Sequence, residues 1–182
     1  MGSTIRKLSP REIAAKRVAP ASIGAVERIP VFGLLDNIRS RYNVGSIFRT
    51  SDGALLQKLY LCGFTPAPPA REIHNTSLGT VETVPWEYRS EPLDAVAHCR
   101  SAGARICVLE QTDRSAPYHS LTANAFPLCL VAGNELTGVS QSIVDQADTA
   151  IEIPMFGTKQ SLNVAVAYGI ALFELVRLWR SR

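Results

Sequence analysis

Long uninterrupted apolar stretches are missing from this chain of 182 residues. The most apolar segment, residues 162–176, is interrupted by Asn163, Tyr168, Gly169 and Glu174, which argues against a membrane-spanning helix. The N-terminus lacks the charged and then apolar pattern of a signal peptide. These absences predict a soluble, cytoplasmic protein with no membrane partner.

Cysteine and histidine are also scarce, with four and three residues. The cysteines form no Cys-x-x-Cys pair and the histidines are scattered, so we expect no bound metal ion, and in particular no zinc. Cys62, Cys107 and Cys129 each lie in an apolar run of strand length, and Cys99 lies in a predicted helix. All four are expected to be buried and reduced.

Positive charge is concentrated near the N-terminus. Residues 1–28 carry six basic and two acidic side chains, a local net charge of +4, and the remaining residues total −1. Within this segment Ser9 and Glu12 have the spacing of a capping box, and Pro10 follows the cap, so we predict a short helix over residues 10–18. A basic arm on a near-neutral body suggests nucleic acid, but a solvated charged tail is equally common.

Apolar runs of strand length alternate with helical segments through the rest of the chain. We predict strands at residues 31–38, 56–64, 104–111 and 127–133, with a last strand through Ile151, Ile153 and Met155. This alternation predicts an α/β fold with a mostly parallel sheet and helices on both faces. The chain is thus expected to form a basic extension, residues 1–28, and one folded domain, residues 29–182.

The connecting segments carry further expectations. A helix is predicted to begin near Asn43, another to begin at an N-cap Ser90 and end at Gly103, and a third to cover residues 139–147. Residues 71–83 are polar and are expected to be irregular. Residues 84–88 contain Pro85 and are expected to form at most a short edge strand.

Two polar clusters follow predicted strands. In the first, Asn43 and Arg49 lie in one helix, with Arg39 and Arg41 just before it, and three guanidinium groups around a helix start could hold phosphate. Ordinary surface arginines beside a helix cap would give the same pattern. In the second cluster, residues 133–138, two glycines surround Glu135, which suggests that backbone passes close to a ligand. A simple helix-entry turn would also explain it.

A third cluster lies between the last predicted strand and a long helix. Ile153 and Met155 lead into a polar loop, Ser161 is predicted to be the N-cap of the helix, and Asn163 falls in its first turn. Parallel sheets bind ligands at the carboxyl ends of their strands, where all three clusters are expected. We therefore predict that the clusters share one pocket.

The last helix carries no charged residue from Leu162 to Phe173. A helix that is apolar all round must be covered on every side. The sheet can cover one side, and a second copy of the same helix is the simplest cover for the other. The sequence therefore predicts a homodimer through the C-terminal helix.

Three segments resemble, in order and spacing, the three motifs of the SpoU (TrmH) family of RNA ribose 2′-O-methyltransferases, part of the SPOUT superfamily. They are residues 43–54 (NVGSIFRTSDGA), 131–140 (VAGNELTGVS) and 151–174 (IEIPMFGTKQSLNVAVAYGIALFE). The resemblance covers about the last four-fifths of the chain. It implies a trefoil-knotted α/β domain, an S-adenosylmethionine cofactor, tRNA or rRNA as substrate, and a homodimer through the last helix.

The resemblance also implies roles for individual residues. Those matching cofactor-binding positions are Leu109 at the end of its strand, Gly133, Ile153, Met155 and Leu162. Those matching catalytic or structuring positions are Asn43, Arg49, Glu135, Ser161 and Asn163. RNA contacts are expected from Arg39, Arg41 and Arg49. One departure is Asn75, where the family often has a basic residue.

Two other functions compete with this hypothesis. A non-catalytic RNA-binding module could keep the same fold, although it would not need all five catalytic positions. A dehydrogenase-like nucleotide-binding enzyme ranks last, because the chain has no Gly-x-Gly-x-x-Gly between its first predicted strand and helix.

Overall fold

The computed structural model describes residues 4–182, in which seven strands form one sheet. In chain order they are β1 (Ile29–Asp36), β2 (Leu56–Cys62), β3 (Trp86–Arg89), β4 (Arg105–Leu109), β5 (Ala116–Pro117), β6 (Leu128–Ala132) and β7 (Thr149–Glu152). Their order across the sheet is β3-β2-β1-β6-β4-β7-β5, and every pair is parallel. The predicted parallel sheet is therefore confirmed, with β3 at one edge as expected.

Six α-helices accompany the sheet. They are α1 (Pro10–Ala15), α2 (Arg41–Ala54), α3 (Arg71–Ser77), α4 (Pro92–Ser101), α5 (Gln141–Val144) and α6 (Val164–Arg180). Short 3-10 turns occupy Pro20–Ala25, Thr80–Glu82, Tyr118–Ser120 and Ala123–Ala125. None of the helices in residues 4–182 combines the length and apolarity that crossing a bilayer requires.

The core lies in two layers, one on each face of the sheet. Along β2, Leu59 and Leu61 face a layer with buried residues of α2, α3 and α6, whereas Tyr60 and Cys62 face one with α4 and α5. This period of two follows from strand geometry and puts helices on both faces, as predicted. All four cysteines are buried and unpaired, and burial raises the pKa of the Cys107 thiol to about 12.

Residues 4–28 contribute no side chain to either layer. No residue of α1 is buried, but the predicted capping box is present: the Ser9 hydroxyl accepts from the Glu12 amide at 3.3 Å. The helix ends at Ala15 rather than at residue 18. Residues 1–3 of the predicted extension lie outside the described residues.

Two local predictions are wrong because tertiary packing or backbone geometry decides the outcome. Residues 71–83 are not irregular: they contain α3 and the Thr80–Glu82 turn. A side chain at Gly45 of α2 would place its Cβ 2.7 Å from the Ile73 carbonyl oxygen, so α3 lies directly on α2 at a contact the sequence pattern does not reveal. The N-cap of α4 is Glu91 rather than Ser90, because Pro92 occupies the first turn.

The sheet order brings the carboxyl ends of four strands together. In the register, Ala132 of β6 pairs with Leu35 of β1 and with Leu109 of β4, and Leu109 pairs in turn with Ile151 of β7. The segments that follow these strands therefore start side by side, at the edge where parallel sheets bind ligands. The threading of the implied knot stays a prediction.

Candidate functional site

A cavity of about 450 Å³ opens at the carboxyl ends of β4, β6 and β7. Its walls are formed by residues 109–111, 132–138, 152, 153, 155, 160–164 and 167. All five predicted cofactor-binding residues line it: Leu109, Gly133, Ile153, Met155 and Leu162. Glu135, Ser161 and Asn163 line it as well. The second and third sequence clusters thus share one pocket. The first cluster was predicted to join them, but none of its residues lines the cavity: Arg39, Arg41, Asn43 and Arg49.

Main chain rather than side chains forms the wall between Gly133 and Gly138. A Cβ on Gly133 would lie 2.2 Å from the carbonyl carbon of Gly138, so no larger residue fits. Asn134 and Gly138 exchange two backbone hydrogen bonds of 2.9 Å, which close the loop, and Gly138 has a φ of +71°. The two glycines therefore permit a tight turn that only a residue without a side chain can make.

Two carboxylates hold this loop against the strands. Glu110 accepts hydrogen bonds from the Gln111 and Val139 amides, both at 2.9 Å. Asp36, fully buried at the end of β1, accepts from the Ser140 amide at 2.7 Å and from the Asn37 side chain at 2.7 Å. Sequence reasoning missed the role of Asp36. The available signal was an acidic residue directly after a buried strand.

Glu135 joins the same loop to the start of α2. Its carboxylate accepts from the backbone amides of Arg39 at 2.8 Å and Ser40 at 3.0 Å, and from the Asn43 side-chain amide at 2.8 Å. Burial alone would raise the pKa of Glu135, but these three hydrogen bonds to the charged form outweigh it and lower the pKa. Glu135 is therefore held as a carboxylate.

Asn43 extends this network to the start of α6. Its side-chain oxygen accepts from the Asn163 side-chain amide at 3.1 Å, and the Asn163 oxygen accepts from the Ala165 and Val166 backbone amides. Asn163 is thus the N-cap of α6, and the prediction that Ser161 is the cap is wrong. The chain from 153 to 163 runs as a longer non-helical loop, so Ser161 lines the cavity before the helix begins.

Arg49 lies apart from this network. It lines a second cavity of about 460 Å³ between α2 and α3, together with Ser46, Thr50, Asn75, Thr76 and Leu78. Six residues along an α-helix place it about 9 Å from Asn43 along the axis and about 240° around it. The two side chains therefore point to different surfaces of α2, and Arg49 does not line the cavity at the strand ends.

The other two predicted RNA-binding arginines flank the start of α2. Arg39 is exposed, and only its backbone amide takes part in the Glu135 network. Arg41 is also exposed and forms an ion pair with Glu72 of α3 at 3.1 Å. Both arginines are thus exposed at the start of α2, and neither lines the cavity.

The sequence of residues 30–173 matches the SpoU rRNA Methylase family. The chain belongs to this family. This SpoU family member is 34% identical over 142 residues to the tRNA (guanosine(18)-2′-O)-methyltransferase of Aquifex aeolicus. The aligned residues cover 78% of this chain and 66% of that protein. The chain spans less than two thirds of this relative's length, and 61% of the Escherichia coli protein of the same name.

Two solved SpoU-like structures match the fold closely. The AdoMet-bound rRNA methyltransferase of Sinorhizobium meliloti superposes with a TM-score of 0.77 at 29% identity, over 88% of this chain and 61% of that one. The SpoU methyltransferase AviRb of Streptomyces viridochromogenes, in complex with AdoMet, gives a TM-score of 0.75 at 25% identity. This match covers 97% of this chain and 81% of that one. The SpoU fold expected from the sequence is confirmed.

Metal ligands are not grouped in the part of the chain that the structure describes. No set of three His, Cys, Asp or Glu side chains in residues 4–182 is placed to hold a metal ion. The carboxylates at and beside the loop of residues 133–138 accept hydrogen bonds from amide groups instead. They belong to Asp36, Glu110 and Glu135.

Proposed function

We propose that this chain is an S-adenosylmethionine-dependent methyltransferase that modifies a ribose 2′-hydroxyl of tRNA or rRNA. The observation that carries the proposal is the cavity at the strand ends, which gathers the predicted cofactor residues beside the network of Glu135, Asn43 and Asn163. AdoMet-bound relatives of the same fold support this assignment.

The cavity fits the proposed cofactor in size and chemistry. Its volume of about 450 Å³ is typical of a small-molecule site. Part of its wall is the backbone of Gly133 and Gly138, and a side chain at Gly133 would displace the Gly138 backbone. Five residues would hold S-adenosylmethionine through apolar contacts and backbone groups: Leu109, Gly133, Ile153, Met155 and Leu162. When bound, this cofactor supplies an electrophilic methyl group on a sulfonium.

The polar residues have separate proposed roles. Glu135, Asn43 and Asn163 position the starts of α2 and α6, and Ser161 orients the ribose at the cavity wall. Arg49 stabilises negative charge that develops on the 2′-oxygen, because a guanidinium stays charged at neutral pH and cannot serve as the base. A neighbouring phosphate of the RNA can accept the proton.

Basic side chains outside the cavity are proposed to bind the RNA backbone. Arg39, Arg41 and Arg49 lie on exposed surface around α2, and the extension, residues 1–28, adds a local charge of +4. We assign the methyltransferase domain to residues 29–182. The cytoplasmic location expected from the sequence stays a prediction.

A homodimer through α6 is part of the proposal. Val166 and Phe173 of this helix are 52% and 49% exposed, although the segment from Leu162 to Phe173 carries no charge. An exposed apolar helix face of this kind is typical of a subunit interface. Arg49 lies outside the cavity of its own subunit. In a dimer, it could instead reach a ribose bound at the cavity of the partner subunit.

The decisive experiment compares the wild type with Arg49→Lys. The wild type should bind S-adenosylmethionine in calorimetry and transfer a labelled methyl group to tRNA or rRNA, with the product mapped as a 2′-O-methyl nucleotide. Arg49→Lys keeps the charge but loses the forked donor, so we expect unchanged cofactor affinity and about 10²-fold slower turnover.

Arg105→Lys is the matched control, because Arg105 is exposed at the opposite end of β4 from Leu109. Its turnover should equal that of the wild type. Near-normal turnover of Arg49→Lys would contradict the role given to Arg49. RNA binding by the wild type without any methyl transfer would support a non-catalytic RNA-binding module instead.

A further inference from the structure

Carboxylates are the only charged side chains in the cavity wall. Glu110, Glu135 and Glu152 line the cavity, and none of the described residues that line it is Lys, Arg or His. The second cavity differs, because Arg49 lines it. Two neighbouring cavities on one domain thus have opposite charge, although the whole chain has a net charge of +3.

Two of the three carboxylates keep their charge but are solvated by hydrogen bonds from the protein. Glu110 accepts from two backbone amides, one on each oxygen. Glu135 accepts from two backbone amides and the Asn43 side chain. Hydrogen bonds of this kind disperse the negative charge and fix the carboxylates in place. These two residues are therefore structural anchors of the cavity wall.

Glu152 is different. One oxygen accepts from the Ser115 hydroxyl at 2.7 Å, and the other has no protein donor within residues 4–182. No basic side chain in that range forms an ion pair with it, and the nearby Arg114 pairs with Asp113 at 3.9 Å. Glu152 is half-buried at the last position of β7, directly before Ile153. Its charge is thus the least compensated one in the wall.

We propose that Glu152 makes the cavity selective for the charged form of the cofactor, and this inference rests on the proposed function. S-adenosylmethionine carries a sulfonium and an ammonium against one carboxylate, a net charge of +1. Transfer of the methyl group to the 2′-oxygen breaks the carbon–sulfur bond, leaves its electron pair on sulfur and releases the hydroxyl proton. The product, S-adenosylhomocysteine, has a net charge of zero.

The charge on Glu152 therefore distinguishes cofactor from product. An uncompensated carboxylate in a partly buried wall attracts a cation more strongly than a neutral molecule of the same shape. The protein then binds fresh S-adenosylmethionine in preference to its own product, and product inhibition is limited. Neither effect requires a contact to the transferred methyl group.

The test measures dissociation constants by calorimetry for three probes: S-adenosylmethionine, S-adenosylhomocysteine and sinefungin, in which a carbon bearing an amine replaces the sulfonium. For Glu152→Gln we expect about tenfold weaker binding of the two cationic probes, the scale of one partly screened charge interaction. Binding of S-adenosylhomocysteine should stay within about twofold, and the loss should shrink at high salt.

Two further variants make the result specific. Glu152→Asp keeps the charge and should keep the preference for cationic probes even if all three affinities fall. Glu27→Gln removes a carboxylate that is exposed just before the amino end of β1, whereas the cavity lies at the carboxyl ends of the strands, and it should change nothing.

An unchanged ratio of cofactor to product affinity in Glu152→Gln would overturn the inference alone, whether all three probes bind equally more weakly or none changes. A wild type that binds neither S-adenosylmethionine nor its product would overturn the proposed function, and this inference with it.

Discussion

Glu135 shows how one side chain can connect distant parts of the chain. It joins the loop after β6 to two backbone amides at the start of α2 and, through Asn43, to the N-cap of α6. Hydrogen bonds to an ionised acceptor are stronger than neutral ones, and the alternative for partly buried amides is to lose their partners. Glu135 is therefore expected to contribute to stability as well as to the site.

Glu135→Gln tests this contribution. The substitution keeps the size of the side chain but removes the charge and one acceptor, so we expect the free energy of unfolding at pH 7 to fall by about 1–2 kcal/mol. The folded-state pKa of Glu135 is lowered, so its stabilisation is complete above the unfolded-state pKa of about 4.3 and is lost as the pH falls through the folded value.

Urea denaturation at pH 7 and pH 3 measures the effect. The difference between wild type and variant should be smaller at pH 3, because pH 3 lies below the unfolded-state pKa and the stabilisation decreases with pH there. Glu27→Gln, at an exposed position, should match the wild type at both pH values. An equal difference at both pH values would mean that the charge of Glu135 contributes nothing.

At the same scale, the sequence predicted eight of the nineteen cavity-lining residues but not their hydrogen-bond partners. Gly133, Glu135, Ile153 and Leu162 could be named because they directly follow or begin elements with a clear pattern. Glu152 could not be named, because its proposed role depends on the absence of a basic side chain beside it in the folded protein.

Individual elements were predictable where local sequence determines them. The strands were located to within about two residues at most ends because each is an apolar run bounded by polar residues. The helix α3 was not predicted, since only Ile73 and Ser77 of its residues are buried and its support comes from α2. The start of α6 was misplaced because Ser161 and Asn163 are both good N-cap residues, and local chemistry alone cannot choose between them.

Asn163 allows the cap and the side-chain network to be separated. Asn163→Ala removes both the acceptor for the Ala165 and Val166 amides and the donor to Asn43, so the free energy of unfolding should fall by about 1–2 kcal/mol. Asn163→Asp keeps an N-cap acceptor beside the positive end of the helix dipole but loses the donor to Asn43.

Urea denaturation and methyl-transfer assays on both variants distinguish these roles. Asn163→Asp should lose no more than about 0.5 kcal/mol of stability, yet both variants should transfer methyl groups more slowly than the wild type. If Asn163→Asp is as unstable as Asn163→Ala, the cap is not the stabilising interaction.

The whole molecule shows where sequence reasoning ends. Alternating strands and helices predict a parallel sheet, but the order β3-β2-β1-β6-β4-β7-β5 depends on pairings between distant segments that no local pattern encodes. The separation of Arg49 from the cavity at the strand ends has a local cause instead, because Arg49 lies six residues after Asn43 on α2. The fold was predicted from the family resemblance, because members of a family share the same pairings between distant strands.

The α6 interface can be tested with a charge placed on its exposed face. Val166→Glu would bury an unpaired carboxylate if the dimer forms, at a cost of about 3 kcal/mol or more, so we expect at least about 100-fold weaker association. Light scattering coupled to size exclusion should show a wild-type dimer and a variant monomer at micromolar concentration.

Leu93→Glu is the matched control. Leu93 is 36% exposed on α4, against the opposite face of the sheet, and its variant should remain a dimer. A monomeric wild type, or a Val166→Glu variant that stays dimeric, would remove α6 as the interface.

The loop from Gly133 to Gly138 has a consequence for inhibitors. Point mutations exchange side chains and leave peptide groups in place, so a competitive compound anchored to this main chain would be difficult for a cell to evade. Substituting Gly133 would push a Cβ to within 2.2 Å of the Gly138 backbone, and the resistant protein would have to rebuild the turn that forms its own pocket. Resistance at this point would therefore disrupt the pocket itself.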